Sequence, residues 1–264
     1  PLGGLIALSL VFCVVAAPAA APATAKDVPV RFGVITRYHP RLIYQTHQPM
    51  VDYLSRVTPF RFELKLGRSF EETAQDLERG ATQIAMLSTL TYLEARARFG
   101  AVPLVRPRGD QGQALTRGAI VTRVDSGITA LGDLKGRTFA FAPAKSTAGN
   151  LLPRYLLFAA GVRLTDLKRY ANLANYDNVA LGVLRGQYDA GAMSDLAAER
   201  YRDRGLRILA HSDPAPSEPI VARRGAPPDL VRSVREALLA LDPESPRDRE
   251  LLNDWDEEFR YGFV

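Results

Sequence analysis

Two periods take turns along this chain. Val28 to Val34, interrupted by Arg31, is a largely apolar segment of strand length, Phe60, Phe62, Leu64 and Leu66 recur at every second position, and Ile84 to Leu87 is a brief continuous apolar stretch; all three predict strands. Between them the spacing becomes helical. Met50, Tyr53, Leu54 and Val57 share one face of a helix predicted over Thr46 to Val57. Ser69 with Glu72 three residues later is a capping box, in which hydroxyl and carboxyl each satisfy a backbone amide of the first turn, and Gly80 after Arg79 supplies the left-handed residue that ends such a helix. Leu90 to Phe99 predicts a third helix, ended by Gly100. Alternating β and α segments predict a parallel sheet with helices on its faces.

The second half repeats the plan. Arg79-Gly80-x-x-Gln83-Ile84-Ala85-Met86-Leu87-Ser88 aligns with Arg185-Gly186-x-x-Asp189-Ala190-Gly191-Ala192-Met193-Ser194: a helix end, a tight turn, a short strand and a serine placed to cap the next helix. This predicts two lobes of like architecture. Ligands of open α/β sheets bind beyond the carboxyl ends of the strands, so Ser88 and Ser194 are expected to face a shared cleft. Ala114 to Arg123, Arg207 to Ala210 and Pro219 to Arg223 are extended segments able to cross between lobes, flanked by Gly109, Gly112, Gly118 and Asp213-Pro214-Ala215-Pro216. One lobe is expected over 26–116 plus 213–264, and the other over 117–212. Helices near Pro228 to Leu241 and Pro246 to Arg260 are expected to pack back on the first. The Arg-rich stretch Glu199 to Arg207 is taken as the solvated face of a helix.

The run from Arg137 to Gly161 carries the candidate chemistry. An apolar strand, Thr138 to Ala142, breaks into Pro143-Ala144-Lys145-Ser146-Thr147-Ala148-Gly149 and enters a helix. A helix start leaves about four amides unpaired and carries roughly half a positive charge, so a small anion can settle there. Ser146 and Thr147 add hydroxyls, Lys145 adds charge, and Gly149 permits close approach to the backbone. The alternative is an ordinary N-cap, since serine and threonine are common there. Tyr38, His39 and Tyr44 follow the first strand in a loop opening on the cleft, where aromatics either touch a ligand or simply pack.

Composition narrows the classes. The first 25 residues carry no charge, and Leu5 to Val15 is apolar, followed by a tract rich in Ala and Pro. This pattern predicts a secretory signal peptide over residues 1–25, cleaved after Ala23-Thr24-Ala25, with a basic leader expected ahead of Pro1. A membrane anchor is disfavoured by the shortness of the run and by Pro18 and Pro22. Cys13, the one cysteine, lies in that run, and bulky Val11 and Phe12 before it argue against lipidation. The mature chain then has no cysteine for disulfides or thiolate metal sites. His39, His47 and His211 lack the spacing of metal ligands. All charges lie at or after Lys26, so the formal net +5 and the pI near 9.4 belong to the mature protein and suit an anionic ligand or adhesion to acidic surfaces. No nucleophile elbow, Walker-type phosphate loop or His-Glu-x-x-His motif occurs.

Taken together, Phe141-Ala142-Pro143-Ala144-Lys145-Ser146-Thr147-Ala148-Gly149-Asn150-Leu151-Leu152-Pro153, Asp125-Ser126-Gly127-Ile128, Leu131 to Gly136, and Tyr176-Asp177-Asn178-Val179-Ala180-Leu181 with Gly186 to Ala190 resemble the periplasmic phosphonate-, phosphate- and phosphite-binding proteins of ABC transporters. The first segment is similar to that family's Ser-Thr-Ser-Gly-x-Leu-x-Pro run. The resemblance implies an α/β, two-lobed type II periplasmic binding protein fold, each lobe a mainly parallel sheet flanked by helices and joined to the other by hinge strands.

The resemblance also implies a site. Ser146, Thr147, Ala148 and Gly149 would cradle a small anionic ligand, with Ser88, Tyr38, Tyr176 and Glu218 on facing edges. Four positions depart from the family. Ala148 lacks the third hydroxyl of the run, Tyr176 stands where the family has a histidine, and Phe70 and Thr116 stand where it has tyrosines that approach the ligand. Glu218 matches a family acid able to hold a ligand amine; the competing reading is an exposed hinge carboxylate. The implied protein is an exported, periplasmic, non-enzymatic monomer without cofactor, metal or nucleic-acid partner. It would hand a phosphonate-, phosphite- or phosphate-like oxyanion to an ABC permease of the inner membrane by closing its lobes. The alternatives are a ligand sensor partnering a histidine kinase and, on the same fold, a lyase.

Overall fold

A computed structural model describes residues 28–264; the expected leader, with Cys13 and the cleavage motif, lies outside the described residues. The chain runs β1 (Val30–Val34), α1 (Pro40–Val57), β2 (Phe62–Leu66), α2 (Phe70–Arg79), β3 (Ile84–Met86), α3 (Thr89–Phe99), β4 (Val102–Val105) and the two-residue strand β5 (Leu115–Thr116). It continues through β6 (Gly118–Arg123), β7 (Thr138–Phe141), α4 (Leu152–Ala159), β8 (Arg169–Asn172), α5 (Tyr176–Leu184), β9 (Ala190–Ser194), α6 (Asp195–Arg200) and β10 (Leu206–His211). It returns by β11 (Ala215–Pro216) to β12 (Ile220–Ala222) and ends on α7 (Pro228–Leu239) and α8 (Pro246–Asn253).

Two five-stranded sheets result, in the orders β2-β1-β3-β12-β4 and β8-β7-β9-β6-β10. Position by position they have the same plan. β1 is parallel to β2 and β3, and β7 is parallel to β8 and β9. The next two strands in each sheet, β12 and β4 or β6 and β10, run antiparallel to their neighbours. The sheets are therefore mixed. A parallel neighbour needs a crossover helix, whereas β6 and β12 arrive directly from the other sheet through β5 and β11, which pair antiparallel with each other.

Both faces of each sheet are covered, which is why the central strands are apolar at nearly every position. β3 sends Ile84 and Met86 into the cluster that holds Ile43, Met50 and Leu54 of α1, and its alternate residue Ala85, with Leu87 beyond the strand end, into one with Phe70, Leu77 and Tyr92 of α2 and α3. In the second sheet Phe139 and Phe141 pack with Ile120, Leu134, Leu157 and Val162, while Ala140 and Ala142 face Val179, Val183 and Met193.

Local signals account for most element boundaries. Ser69 Oγ accepts from the Glu72 amide at 3.1 Å, and Gly80 closes α2 at φ 75°. Glu72 departs from the capping box, its carboxylate accepting from the Arg68 amide and side chain instead. α1 begins six residues before the predicted Thr46, because His39 takes the cap, Pro40 fits the first turn, and Ile43 extends the buried face one turn upstream. The stretch Glu199 to Arg207 is not a solvated helix face: α6 ends at Arg200, Arg202–Arg204 is a 3-10 turn, and β10 starts at Leu206. Among the described residues no helix is long and apolar enough to cross a membrane.

Close sheet-to-helix packing hangs on Gly191 in β9, where a methyl group would lie 2.5 Å from Val179 Cγ1 of α5 and 3.2 Å from the Ala140 carbonyl. Gly191→Ala is expected to destabilise the protein by about 1–3 kcal/mol, as overpacking does, measured by denaturant melts; no loss would show that α5 is free to shift.

Candidate functional site

The carboxyl ends of the two sheets meet. β1 leaves its sheet through Ile35-Thr36-Arg37-Tyr38, and β7 leaves the topologically equivalent position of the other through Ala142 to Ser146. Direct hydrogen bonds join these exits. The Tyr176 amide donates to the Arg37 carbonyl at 2.8 Å, Ser88 Oγ to the Lys145 carbonyl at 2.7 Å, and the Leu90 amide to Thr147 Oγ1 at 2.9 Å. Lys145 Nζ pairs with Glu94 at 2.5 Å, and the His39 amide donates to Asp177 at 2.6 Å.

The loop after β7 folds as its residues dictate. The Ser146 amide donates back to the Pro143 carbonyl, closing a turn, and Ser146 Oγ then caps the next element by accepting from the Gly149 amide at 3.0 Å. That element, Thr147–Leu151, is a single widened turn of π type, with the Leu151 amide donating to the Ser146 carbonyl and the Leu152 amide to that of Thr147. Such turns are rare and concentrate at functional sites. A methyl group on Gly149 would lie 2.4 Å from Ala142 Cβ and 2.6 Å from Tyr176 Cε1, so this glycine makes room for the Tyr176 ring. Tyr176 is the first residue of α5, which Asn175 caps; its hydroxyl lies 3.0 Å from Ser146 Oγ, and its ring meets Tyr38 edge-on at 5.5 Å. Burial raises the Tyr176 phenol well above its ordinary range, so it stays neutral. Opposite, Ser88 caps α3 by accepting from the Thr91 amide. Two serine-capped turns thus converge between the sheets, each with a positive amide end.

Of the residues singled out from sequence, the structure brings Ser88, Tyr38, Ser146, Thr147, Ala148, Gly149 and Tyr176 into this buried junction. Two lie apart from the cradle, and a third, Glu218, is tied to Arg37 beside it. Phe70 packs in the apolar cluster with Ile35, Leu87 and Tyr92. Thr116, on β5, lines a cavity of about 280 Å³ with Asp195, Ser217, Glu258 and Tyr261. Glu218 is 3% exposed, hence no exposed hinge carboxylate, and its carboxylate accepts from Arg37 Nη1 at 2.7 Å.

Arg37 is the residue that sequence reasoning missed. Its guanidinium, 4% exposed, also meets Glu258 at 2.5 Å and Asp256 at 3.4 Å, while its Nε has no partner among the described residues. Burial pushes the Glu258 carboxyl up to about 8, Arg37 working against it and Glu218 and Asp256 adding repulsion. Glu218 is raised by burial as well. Burial also opposes ionisation of Asp256, but Arg37, His47, Arg200 and the Glu258 amide outweigh it and hold that carboxyl low. Arg200, taken from sequence as part of a solvated face, lies 4.4 Å from the Tyr38 ring centroid and pairs with Glu257 at 2.9 Å. The signal that could have found Arg37 is its place just past an apolar strand end, one residue before Tyr38.

Residues 32–263 match the family model of the phosphonate periplasmic substrate-binding protein of ABC transporters. The phosphonates-binding periplasmic protein of Escherichia coli is 23% identical over 217 residues, which are 77% of this chain and 63% of that protein; the chain thus spans less than two thirds of that relative's length. Among solved structures, a binding protein component of an ABC phosphonate transporter from Pseudomonas aeruginosa superposes with TM-score 0.78 at 21% identity, covering 86% of this chain and 78% of the other. A Prochlorococcus marinus protein solved with methylphosphonate gives TM-score 0.80 at 17% identity, covering 89% and 91%. At such identities the superpositions establish the two-lobed fold.

Two outcomes follow from the ion cluster. Arg37→Met leaves ionised Asp256 and the carboxyl groups of Glu218 and Glu258 without their cation and is expected to cost about 3–5 kcal/mol in denaturant melts; a loss below about 1 kcal/mol would contradict the pairing. Glu258 ionises near 4.5 when unfolded but near 8 when folded, so the folded state holds the extra proton and stability falls as pH rises across that interval. His47, lowered by burial from 6.5 to about 4, has the opposite slope and acts only below 6.5. Between about 6.5 and 8 the melting temperature is therefore expected to fall, and Glu258→Gln to flatten that limb; equal slopes in the two proteins would refute the assignment.

Proposed function

Because the chain belongs to the phosphonate periplasmic substrate-binding protein family of ABC transporters, we propose that it captures a small phosphonate-, phosphite- or phosphate-like oxyanion between its lobes and delivers it to an inner-membrane permease. The observation that carries this reading is the opposition of two serine-capped helix starts, Ser88 on α3 and Ser146 on the Thr147–Leu151 turn, across a junction from which solvent is excluded. First-turn amides have no acceptor within their own helix, and an anion seated between two such ends meets converging N–H groups and positive dipole ends from both lobes.

In this reading the amides of Thr147 and Ala148 and the hydroxyls of Ser146, Thr147 and Tyr176 face the oxyanion, while Gly149 is held by its amide on Ser146 Oγ and Ser88 by its hydroxyl on the Lys145 carbonyl. Tyr38 closes one side. Arg37 supplies the positive charge that a neutral Tyr176 does not, with its unpartnered Nε as the available donor. Glu218 is engaged with Arg37, which lowers its worth as a receptor for a ligand amine and favours a simple oxyanion over an aminoalkyl one. Thr116 borders a separate cavity that also takes in Glu258, and Phe70 backs the shell from the apolar core.

Closure follows from the same contacts. A ligand touching both lobes favours the form in which they meet, by its difference in affinity for closed and open forms. Ser88 on Lys145, Leu90 on Thr147, Lys145 with Glu94 and Arg200 with Glu257 then hold the lobes together. The lobes are assigned as 26–116 plus 213–264 and 117–212. The periplasmic location rests on the family and on the leader-like residues 1–25.

Each hydrogen bond to a charged ligand contributes about 1.5–3 kcal/mol, so Ser146→Ala with Thr147→Ala is expected to weaken binding at least tenfold. Calorimetry with methylphosphonate, phosphite and phosphate measures it, with a thermal melt confirming that the variant folds. Heats from none of the three, or an affinity unchanged by the double substitution, would overturn the reading.

A further inference from the structure

The outer face of α4 is apolar where a helix of this kind is ordinarily polar. Leu151, Tyr155 and Phe158, spaced by four and three residues, are 46%, 62% and 67% exposed. The patch does not stop at the helix. The Arg154 guanidinium lies 4.4 Å from the Phe141 ring and 5.3 Å from that of Tyr170, joining α4 to β8, the last strand of its sheet, where Tyr170 is also exposed.

Its rim is basic. Arg163, Lys168 and Arg169 are exposed, and between Leu151 and Tyr170 the sole acid is Asp166, whose carboxylate accepts from the Arg163 amide at 2.9 Å. The positive charge of the molecule is carried by the same lobe. Residues 117–212, which hold the whole second sheet, carry fourteen Lys and Arg against eight Asp and Glu, an excess larger than the net +5 of the entire chain. The rest is slightly acidic, so the field has a direction.

We propose that this face docks on an anionic phospholipid surface. Tyr and Phe rings with Leu151 between them suit the boundary of headgroups and acyl chains, and Arg and Lys around them suit lipid phosphates. A protein partner is the weaker match, because protein interfaces are depleted in Lys, which stands here on the rim with two arginines. The charge asymmetry would turn the second sheet toward the bilayer before contact, leaving the first turned away.

The test is co-sedimentation of the full chain with vesicles of phosphatidylcholine alone and of phosphatidylcholine mixed with phosphatidylglycerol. Binding is expected to be at least about tenfold tighter to the anionic vesicles, to weaken with salt, and to fall at least about tenfold in Tyr155→Ser/Phe158→Ser and in Lys168→Glu/Arg169→Glu. All four positions are exposed, so both variants should fold, and melting curves check it. The apolar run Leu5 to Val15 is the same in every protein compared, so attachment through it would leave the variants unaltered. Equal affinity for both vesicle types, or binding that neither double substitution changes, overturns the proposal. So does a photo-crosslinker at position 158 that captures a protein rather than lipid in native membranes.

Discussion

The structure hangs on one buried cation. Arg37 holds Glu218, Asp256 and Glu258 at the point where the first strand leaves its sheet, where the chain returns from the second sheet, and where it ends. Taking these charges out of water costs several kcal/mol each, and the cost is offset only when every partner is in place. A guanidinium can satisfy that condition with its planar fork of donors, whereas a lysine ammonium would present a single point of charge. The Arg37 carbonyl, in turn, accepts the amide of Tyr176 from the other lobe, so the start of α5 and the ring that rests on Gly149 take their position from the same residue.

The duplicated plan of the sheets explains why the junction is built as it is. β1 and β7 occupy the same place in the two orders, as do β3 and β9, and each passes into a helical turn on the same edge. Placing the two edges opposite each other brings helix starts together without any special loop. What differs between the copies is the chemistry at the exits: Arg37-Tyr38 in one and Lys145-Ser146 in the other. Each exit thus brings one cation and one hydroxyl to the junction, a buried guanidinium with a phenol on one side and an ammonium paired with Glu94 beside a serine on the other.

Much of this was legible in the sequence because it is written locally. Ser69 and Gly80 bracket α2, Ser88 and Ser194 cap the helices that come after short apolar strands, and Ser146 stands between an apolar strand and a helix; each signal fits in a window of a few residues. The ion cluster was not legible for the opposite reason. Glu218 lies 181 residues from Arg37 and Asp256 lies 219 away, and no period links them. Glu218 was visible only as an acid before a strand, compatible with a ligand contact or an exposed position, and it is neither exposed nor without an internal partner. Arg200 misled in the same way, since its neighbours Glu199, Arg202 and Arg204 do face water while it stacks on Tyr38. Mixed pairing within the sheets was hidden because strand direction depends on where the chain has been, a property of topology rather than of composition.

The neutrality of Tyr176 has a consequence for what the cradle can sense. Its phenol is held protonated by burial, and the groups beside it, the hydroxyls of Ser88, Ser146 and Thr147 and the backbone amides, have no proton to lose in any habitable medium. On the proposed reading, an anion seated there would meet the same hydrogen atoms from these groups at any such pH. Discrimination between a singly and a doubly charged form of the same molecule would then fall to the number and direction of those hydrogens, so these groups would register the ionisation of a guest while keeping their own constant.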